Sequence, residues 1–241
     1  MKKLIATGYK KNSRGIKLVY DSDNKDANVE LLEGNGDFRS PECVELLKQA
    51  DIVVTNPPFS LASLYMQQLV GYGKKFLIIG NINALKYKEI FPLIKTNRLW
   101  FGVNWVKSFT EPGGNVVKMG NVVWYTNLGH KKRREKIVCV EKYDLVKYPK
   151  FDNYDAVEVG KYTDIPKDYA GVMGVPISYL MHHNPEQFEI VGTTENGLCD
   201  KALWIHPEEK HNEPFIDGKK KYTRILIKRK SISENKKTPA V

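Results

Sequence analysis

The chain has 241 residues, 41% of them hydrophobic and 27% charged, with a formal net charge of +10. That length fits one good-sized domain with a smaller lobe, and the 11% aromatic content excludes wholesale disorder. Three widely spaced cysteines, Cys43, Cys139 and Cys199, argue against a disulfide framework or a Cys-rich zinc site and fit a reducing cytoplasm.

In chain order, Met1-Lys2-Lys3 is followed by an apolar run of only Leu4-Ile5-Ala6, too short for a secretory leader. Residues 3–9 are expected to form a short buried strand, and 16–20 a second one ahead of the polar turn 21–26. Val29 to Leu32 then leads through Gly34-Asn35-Gly36 to Asp37-Phe38. Ser40-Pro41-Glu42 has the composition of a helix start: a capping serine, proline at the first helical position, and an acid in the first turn. That helix should end near Ala50. Asp51-Ile52-Val53-Val54-Thr55 is a β-branched run that predicts a buried strand entering a rigid loop at Asn56-Pro57-Pro58. The uncharged stretch 52–73 has the length of a membrane span. Its prolines, Asn56, Ser60, Ser63, Gln67 and Gln68 point instead to strand, loop and helix, with no membrane partner.

Residues 61–70 predict a helix stopped by Gly71-Tyr72-Gly73, 75–79 a further buried strand, and 84–95 a helix kinked or broken at Pro92. Residues 99–101 and 116–126 predict two strands flanking a Gly-rich loop, Pro112-Gly113-Gly114. The alternation of strand and helix over 37–101 implies a doubly wound α/β sheet. Beyond it lie a basic run, Lys131-Lys132-Arg133-Arg134, a predicted strand at 136–143 and a weakly periodic segment at 144–187. Strands are predicted at 188–192 and 222–228, and a disordered polar tail at 231–241. A second basic run spans 219–230. The positive excess is spread along the chain. It fits a polyanionic partner and, equally, a basic solvated surface.

The tetrapeptide Asn56-Pro57-Pro58-Phe59 carries the chemistry. An Asp, Asn or Ser followed by two prolines and an aromatic residue occurs by chance in about 1% of chains of this length. Methyl transfer to an exocyclic amine fits it. The lone pair of such an amine is delocalised into its ring, and nitrogen must move toward tetrahedral geometry before it can attack. Two acceptors around the amine protons favour that change: the Asn56 side-chain oxygen and the Pro57 carbonyl. Consecutive prolines stiffen the loop and remove competing N–H donors, and Phe59 offers a face on which an extruded base can stack. Dipoles fixed in advance act where charge develops in the transition state, and ligands of open α/β sheets bind at the carboxyl ends of strands. The methyl donor would be S-adenosylmethionine. Asp37 could accept from the adenine amine of that cofactor, with Phe38 stacked beside it. No acidic or Gly-rich turn that would hold the methionine end lies upstream of Asn56, and Gly34-Asn35-Gly36 is not a GxGxxG loop. The five histidines form no ligand spacing, so no metal is called for.

These residues, with KKLIATGYK (2–10), GDFRSPECVELL (36–47), ADIVVTNPPFSL (50–61), KKFLIIGNINALKYKEIFPLIK (74–95), NVVWYTNL (121–128), YPKFDNYDAVEV (148–159), DIPKDYAGVMGVPISYL (164–180) and NPEQFEIVG (184–192), resemble the adenine-specific DNA methyltransferases of the EcoRI modification-enzyme family. The resemblance covers most of residues 2–230. It implies a Rossmann-like S-adenosylmethionine-dependent sheet, a flipped adenine in double-stranded DNA and methylation at N6. It makes Asn56 to Phe59 the catalytic loop and Asp37-Phe38 the cofactor-adenine contact. DNA contact falls on Lys131, Lys132, Arg133 and Arg134 and on parts of 193–224. A cognate restriction endonuclease and a cytoplasmic location are expected with it.

Family members usually carry an upstream segment with the first strand and cofactor motif, so the expected fold is N-terminally truncated with a β-rich C-terminal extension. The expected division is a partial catalytic core at 1–143, an extension at 144–230 that recognises DNA, and the tail. The alternative function is that of an inactive or fragmentary DNA-binding relative with an incomplete cofactor pocket.

Overall fold

The structure is a computed structural model that describes residues 3–111, 113–195, 197–205 and 213–230. The expected disordered tail, His206 and His211 lie outside the described residues. The chain divides into two compact units, Met1–Val53 with Gly71–Lys74, and Val54–Val70 with Lys75–Val241.

The first unit is built on an antiparallel sheet of β1 (Lys3–Gly8), β2 (Ile16–Asp21) and β3 (Asp26–Leu31), in that order. Its register runs from Lys3 opposite Asp21 to Gly8 opposite Ile16, and from Ile16 opposite Leu31 to Asp21 opposite Asp26. The strand expected at 3–9 is present but not buried: Leu4 keeps 44% of its surface. Strand propensity fixes the extended backbone, while burial depends on what covers it, and β1 is an edge strand. Helix α1 (Pro41–Gln49) begins as its composition predicts, with the Ser40 hydroxyl accepting from the Cys43 amide and proline in the first turn. It buries Cys43 and Leu47. Lys74 closes the unit, its ammonium donating to the Lys48 and Ala50 carbonyls at 2.7 and 2.9 Å.

Two four-stranded sheets follow along the chain. One has the order β4 (Ile52–Thr55), β5 (Lys75–Asn81), β7 (Val116–Thr126), β6 (Trp100–Thr110), where numbering follows the chain. Helix α2 (Phe59–Gly71) joins β4 to its sheet neighbour β5. It buries Ala62, Met66 and Leu69 along one face. Strands β5 and β7, and β6 and β7, pair antiparallel. β5 lies in the core as expected, with Phe76 and Ile78 fully buried. β4 does not: Ile52 and Val54 are 53% and 65% exposed, because β4 is the edge strand of its sheet.

The single helix expected at 84–95 is two short pieces. Asn81 caps a 3-10 turn at Ile82–Lys86, and α3 (Phe91–Lys95) follows with Pro92 in its first turn. Proline therefore opens the second piece; it does not kink a longer helix.

The strand expected at 136–143 is absent. The Gln187 side-chain amide receives the Ile137 N–H at 2.8 Å and donates to the Ile137 carbonyl at 2.7 Å, so a side chain takes the place of a ladder partner. The other sheet has the order β10 (Phe188–Thr193), β13 (Arg224–Arg229), β9 (Met173–Pro176), β8 (Val157–Glu158). Its β10–β13 pair is antiparallel with a bulge between Ile190 and Gly192, and β8–β9 is parallel. Against it packs a cluster of Phe151, Tyr154, Ala156, Ile216 and Leu226. A two-stranded hairpin, β11 (Phe215–Ile216) and β12 (Lys219–Lys220), completes the second unit. No helix among the described residues is long and apolar enough to cross a membrane.

His183 lies buried between these elements, its Nδ1 2.9 Å from the Tyr179 hydroxyl, and burial pushes its pKa down to about 3. The unfolded chain binds that proton near pH 6.5, so stability is full above 6.5 and falls as the pH drops toward 3. A His183→Gln variant should lose about 1 kcal/mol at pH 7.5 but show a shallower acid decline. Urea unfolding at several pH values reads this, and an unchanged slope between pH 6.5 and 3 contradicts it.

Candidate active site

Three residues, Asn56 to Pro58, connect β4 to α2. Pro57 is buried while Asn56 is exposed. The Pro58 carbonyl accepts from the Leu61 amide at 2.8 Å, which closes the first turn of α2. Neither the Asn56 side chain nor the Pro57 carbonyl has a hydrogen-bond partner among the described residues. Phe59, the first residue of α2, keeps 38% of its surface. The loop thus presents two unused acceptors and an aromatic face from a backbone whose φ angles are fixed by two rings.

Asp37 and Phe38 belong to the first unit, in the connection between β3 and α1. This connection is held from both sides. The Lys10 amide donates to the Asn35 carbonyl and the Gly15 amide to the Gly34 carbonyl. The Glu42 carboxylate accepts from the Glu33 and Gly34 amides, at 2.9 and 3.3 Å for its Oε2. The acid expected to favour a helix start therefore also ties the loop to α1. Gly36 has φ of +83°, and a Cβ there would stand 2.6 Å from the Gly8 carbonyl oxygen, so only glycine fits.

The Asp37 carboxylate accepts from the Arg39 amide at 2.9 Å, from Nε at 2.9 Å and from a terminal nitrogen at 2.5 Å. Those bonds hold its pKa down to about 2. Phe38 is half-buried, with the Arg39 guanidinium carbon 5.6 Å from its ring centre. Sequence reasoning missed Arg39, although a cation two residues after the acid was in plain sight.

The basic run Lys131–Arg134 forms a 3-10 turn whose four side chains are not equivalent. Lys131 and Arg134 are exposed. Lys132 donates to the Val103 carbonyl at 3.2 Å. Arg133 stacks on Trp100, 3.9 Å from the ring centre, and donates to the Asn97 side-chain oxygen. Burial lowers its pKa to about 10. A charge count does not separate a guanidinium spent on an aromatic ring from one free for a ligand.

A stiff, acceptor-rich loop at the end of a sheet strand, beside an exposed aromatic ring, suits transfer to a planar amine. The family described as "Adenine-specific methyltransferase EcoRI" matches residues 1–230. The chain is 41% identical to the Type II methyltransferase M.EcoRI of Escherichia coli, across 97% of this chain and 79% of that protein. It is 39% identical to M.MgeORF184P of Mycoplasma genitalium, over 96% and 80% of the two chains, and 34% identical to M.MpnI of Mycoplasma pneumoniae, over 95% and 79%. No solved structure matches. The chain belongs to the EcoRI family of adenine-specific methyltransferases.

Two substitutions separate the roles of these side chains. Arg39→Ala should raise the Asp37 pKa from about 2 toward the ordinary carboxylate value of 3.8, visible as a shifted carboxyl titration by NMR. Arg133→Ala should cost about 1–2 kcal/mol of stability through loss of its stack, whereas Lys131→Ala should be neutral within about 0.5 kcal/mol. Equal effects of the two in thermal unfolding would contradict the assignment.

Proposed function

We propose that this chain transfers a methyl group from S-adenosylmethionine to N6 of an adenine extruded from double-stranded DNA. The observation that carries this is the pair of free acceptors at Asn56 and Pro57, held by consecutive prolines beside the exposed Phe59 ring. The Asn56 side-chain oxygen and the Pro57 carbonyl accept hydrogen bonds from the two amine N–H groups. Their pull draws the nitrogen lone pair out of the ring and toward the attack direction. Phe59 stacks on the extruded base and fixes its plane, so that alignment lowers the barrier. As the nitrogen gains its fourth bond, the methyl–sulfur bond would break to leave a neutral thioether; the positive charge passes to the nitrogen, the same two oxygens stabilise it, and one amine proton then leaves to solvent.

S-adenosylmethionine, when bound, supplies an activated methyl group. The chemistry of Asp37 and Phe38 fits its adenine end: a carboxylate kept ionised by Arg39 accepts from an amine, and a half-buried ring offers a stacking face. An ionised carboxylate has about four acceptor positions, so the Arg39 fork does not exhaust it. On the DNA side, Lys131 and Arg134 are the free cations of the first basic run for phosphate contact. Lys132 is held to a backbone carbonyl, and Arg133 fixes the run to Trp100. The relatives' printed class, Type II methyltransferase, supports a place in a restriction–modification system with a cognate endonuclease.

Asn56→Ala should lower methyl transfer from labelled S-adenosylmethionine to unmethylated duplex DNA by roughly 10²–10³-fold, by analogy with removal of one polar group from a preorganised site. Its melting temperature should be unchanged, because the side chain is exposed. Transfer at the wild-type rate by that variant refutes the role of Asn56.

A further inference from the structure

Tyr222 is 85% exposed, although the residues on either side of it are firmly held. It directly follows Lys219-Lys220-Lys221 and precedes β13. On its amino side, the hairpin β11–β12 turns through Asp217 and Gly218, both with positive φ, of 51° and 69°. The Asp152 carboxylate accepts from both turn amides, at 3.1 and 2.8 Å. Asn153 donates to the Glu213 carbonyl and accepts from the Phe215 amide, and Ile216 is buried in the cluster with Phe151. The Lys221 amide donates to the Pro214 carbonyl at 2.8 Å. On the carboxyl side, the Thr223 hydroxyl bonds Glu195, and the Arg224 guanidinium grips Glu158 through Nε at 2.8 Å.

The phenol ring has no hydrogen-bond or ring partner among the described residues. Burial of hydrophobic surface therefore does not account for a tyrosine at this place. Glu195 also pairs with Lys86, at 3.0 Å, in the turn that follows the carboxyl end of β5. β5 is the sheet neighbour of β4, the strand that leads into the Asn56 loop. The segment that carries Tyr222 is thus tied to the turn that follows β5.

An exposed aromatic ring on a rigid base, preceded by three cations, is suited to a polyanion made of stacked flat rings. We propose that Tyr222 is a wedge that enters the base stack of duplex DNA beside the target adenine, and that Lys219–Lys221 hold the flanking phosphates. Lys220 is paired with Glu213 at the surface, and such an exposed pair exchanges for phosphate at little cost. The ring would fill the space that the extruded adenine leaves, at the moment when unstacking must be offset. The proposal rests on the DNA-methylation reading and adds to it a residue outside the Asn56 loop.

The test uses the full chain and a duplex carrying a site that the wild type methylates in plasmid DNA. A second duplex is identical but has an abasic position opposite the target adenine, so that extrusion is nearly free. Tyr222→Ala should bind the intact duplex about tenfold more weakly, and should fail to raise the fluorescence of 2-aminopurine placed at the target. On the abasic duplex its affinity should match the wild type, and Tyr222→Phe should behave as wild type throughout. Lys219→Ala should reduce the slope of log affinity against log salt by about one. Equal loss on both duplexes, or no loss on either, overturns the wedge while leaving the methylation reading intact. Absence of both methyl transfer and DNA binding in the wild type overturns the reading itself.

Discussion

The proposed chemistry of this chain depends on a short stiff connection. Between the end of β4 at Thr55 and the start of α2 at Phe59 there are three residues, and two of them have φ fixed by a ring. A flexible loop of that length would turn its carbonyls toward the nearest amides and lose its acceptors to internal bonds. Here the prolines contribute no N–H, and the one local bond formed, from Leu61 to Pro58, serves the helix. The carbonyl and amide oxygens left over are therefore available to a ligand. The same rigidity places Phe59 at a helix terminus, where its ring remains partly in solvent.

How much of this was legible in the sequence follows from the range of each interaction. The cap of α1, the loop at Asn56 and the strand at β5 are local or repeat over a few residues, and the pattern shows them; it also shows β7, but of β6 only the start, although that strand runs on to Thr110. The burial of β1 and β4 is not local. Val54 is as β-branched as any core residue and is 65% exposed, since strand order alone decides which strand lies at an edge. The expected strand at 136–143 failed for a related reason. Its composition suits a strand, yet Gln187, fifty residues away, supplies the partner that a neighbouring strand would have supplied.

Charge shows the same limit more sharply. The sequence marks Lys131 to Arg134 as one basic run, but its side chains meet three different environments: Lys131 and Arg134 in solvent, Lys132 on a backbone carbonyl, Arg133 on a ring. Arg133 lies on an indole ring, and Trp100 is thirty-three residues earlier, in another element. The run at 219–230 divides in the same way: Arg224 is bound to Glu158 with both side chains 13% exposed, while Lys219 and Tyr222 stand in solvent. Net charge sets the long-range field that draws a polyanion near. Which cations then touch it depends on which have no partner already.

Asp37 follows from the same point with the sign reversed. A carboxylate that had to bind an amine while also choosing its own protonation state would couple ligand affinity to pH. With Arg39 on both oxygens the charge is settled before any ligand arrives, and a pKa of about 2 keeps it settled throughout the neutral range. Among the described residues the arginine is held by nothing else of comparable strength, and its side chain is 55% exposed. It can yield one position of the carboxylate to an incoming donor at the cost of an exposed pair, which is small. The clamped turn at Gly36 fixes where that carboxylate sits. Asp37 is thus constrained in position by backbone and in charge by a neighbour, the two conditions that a preorganised acceptor requires.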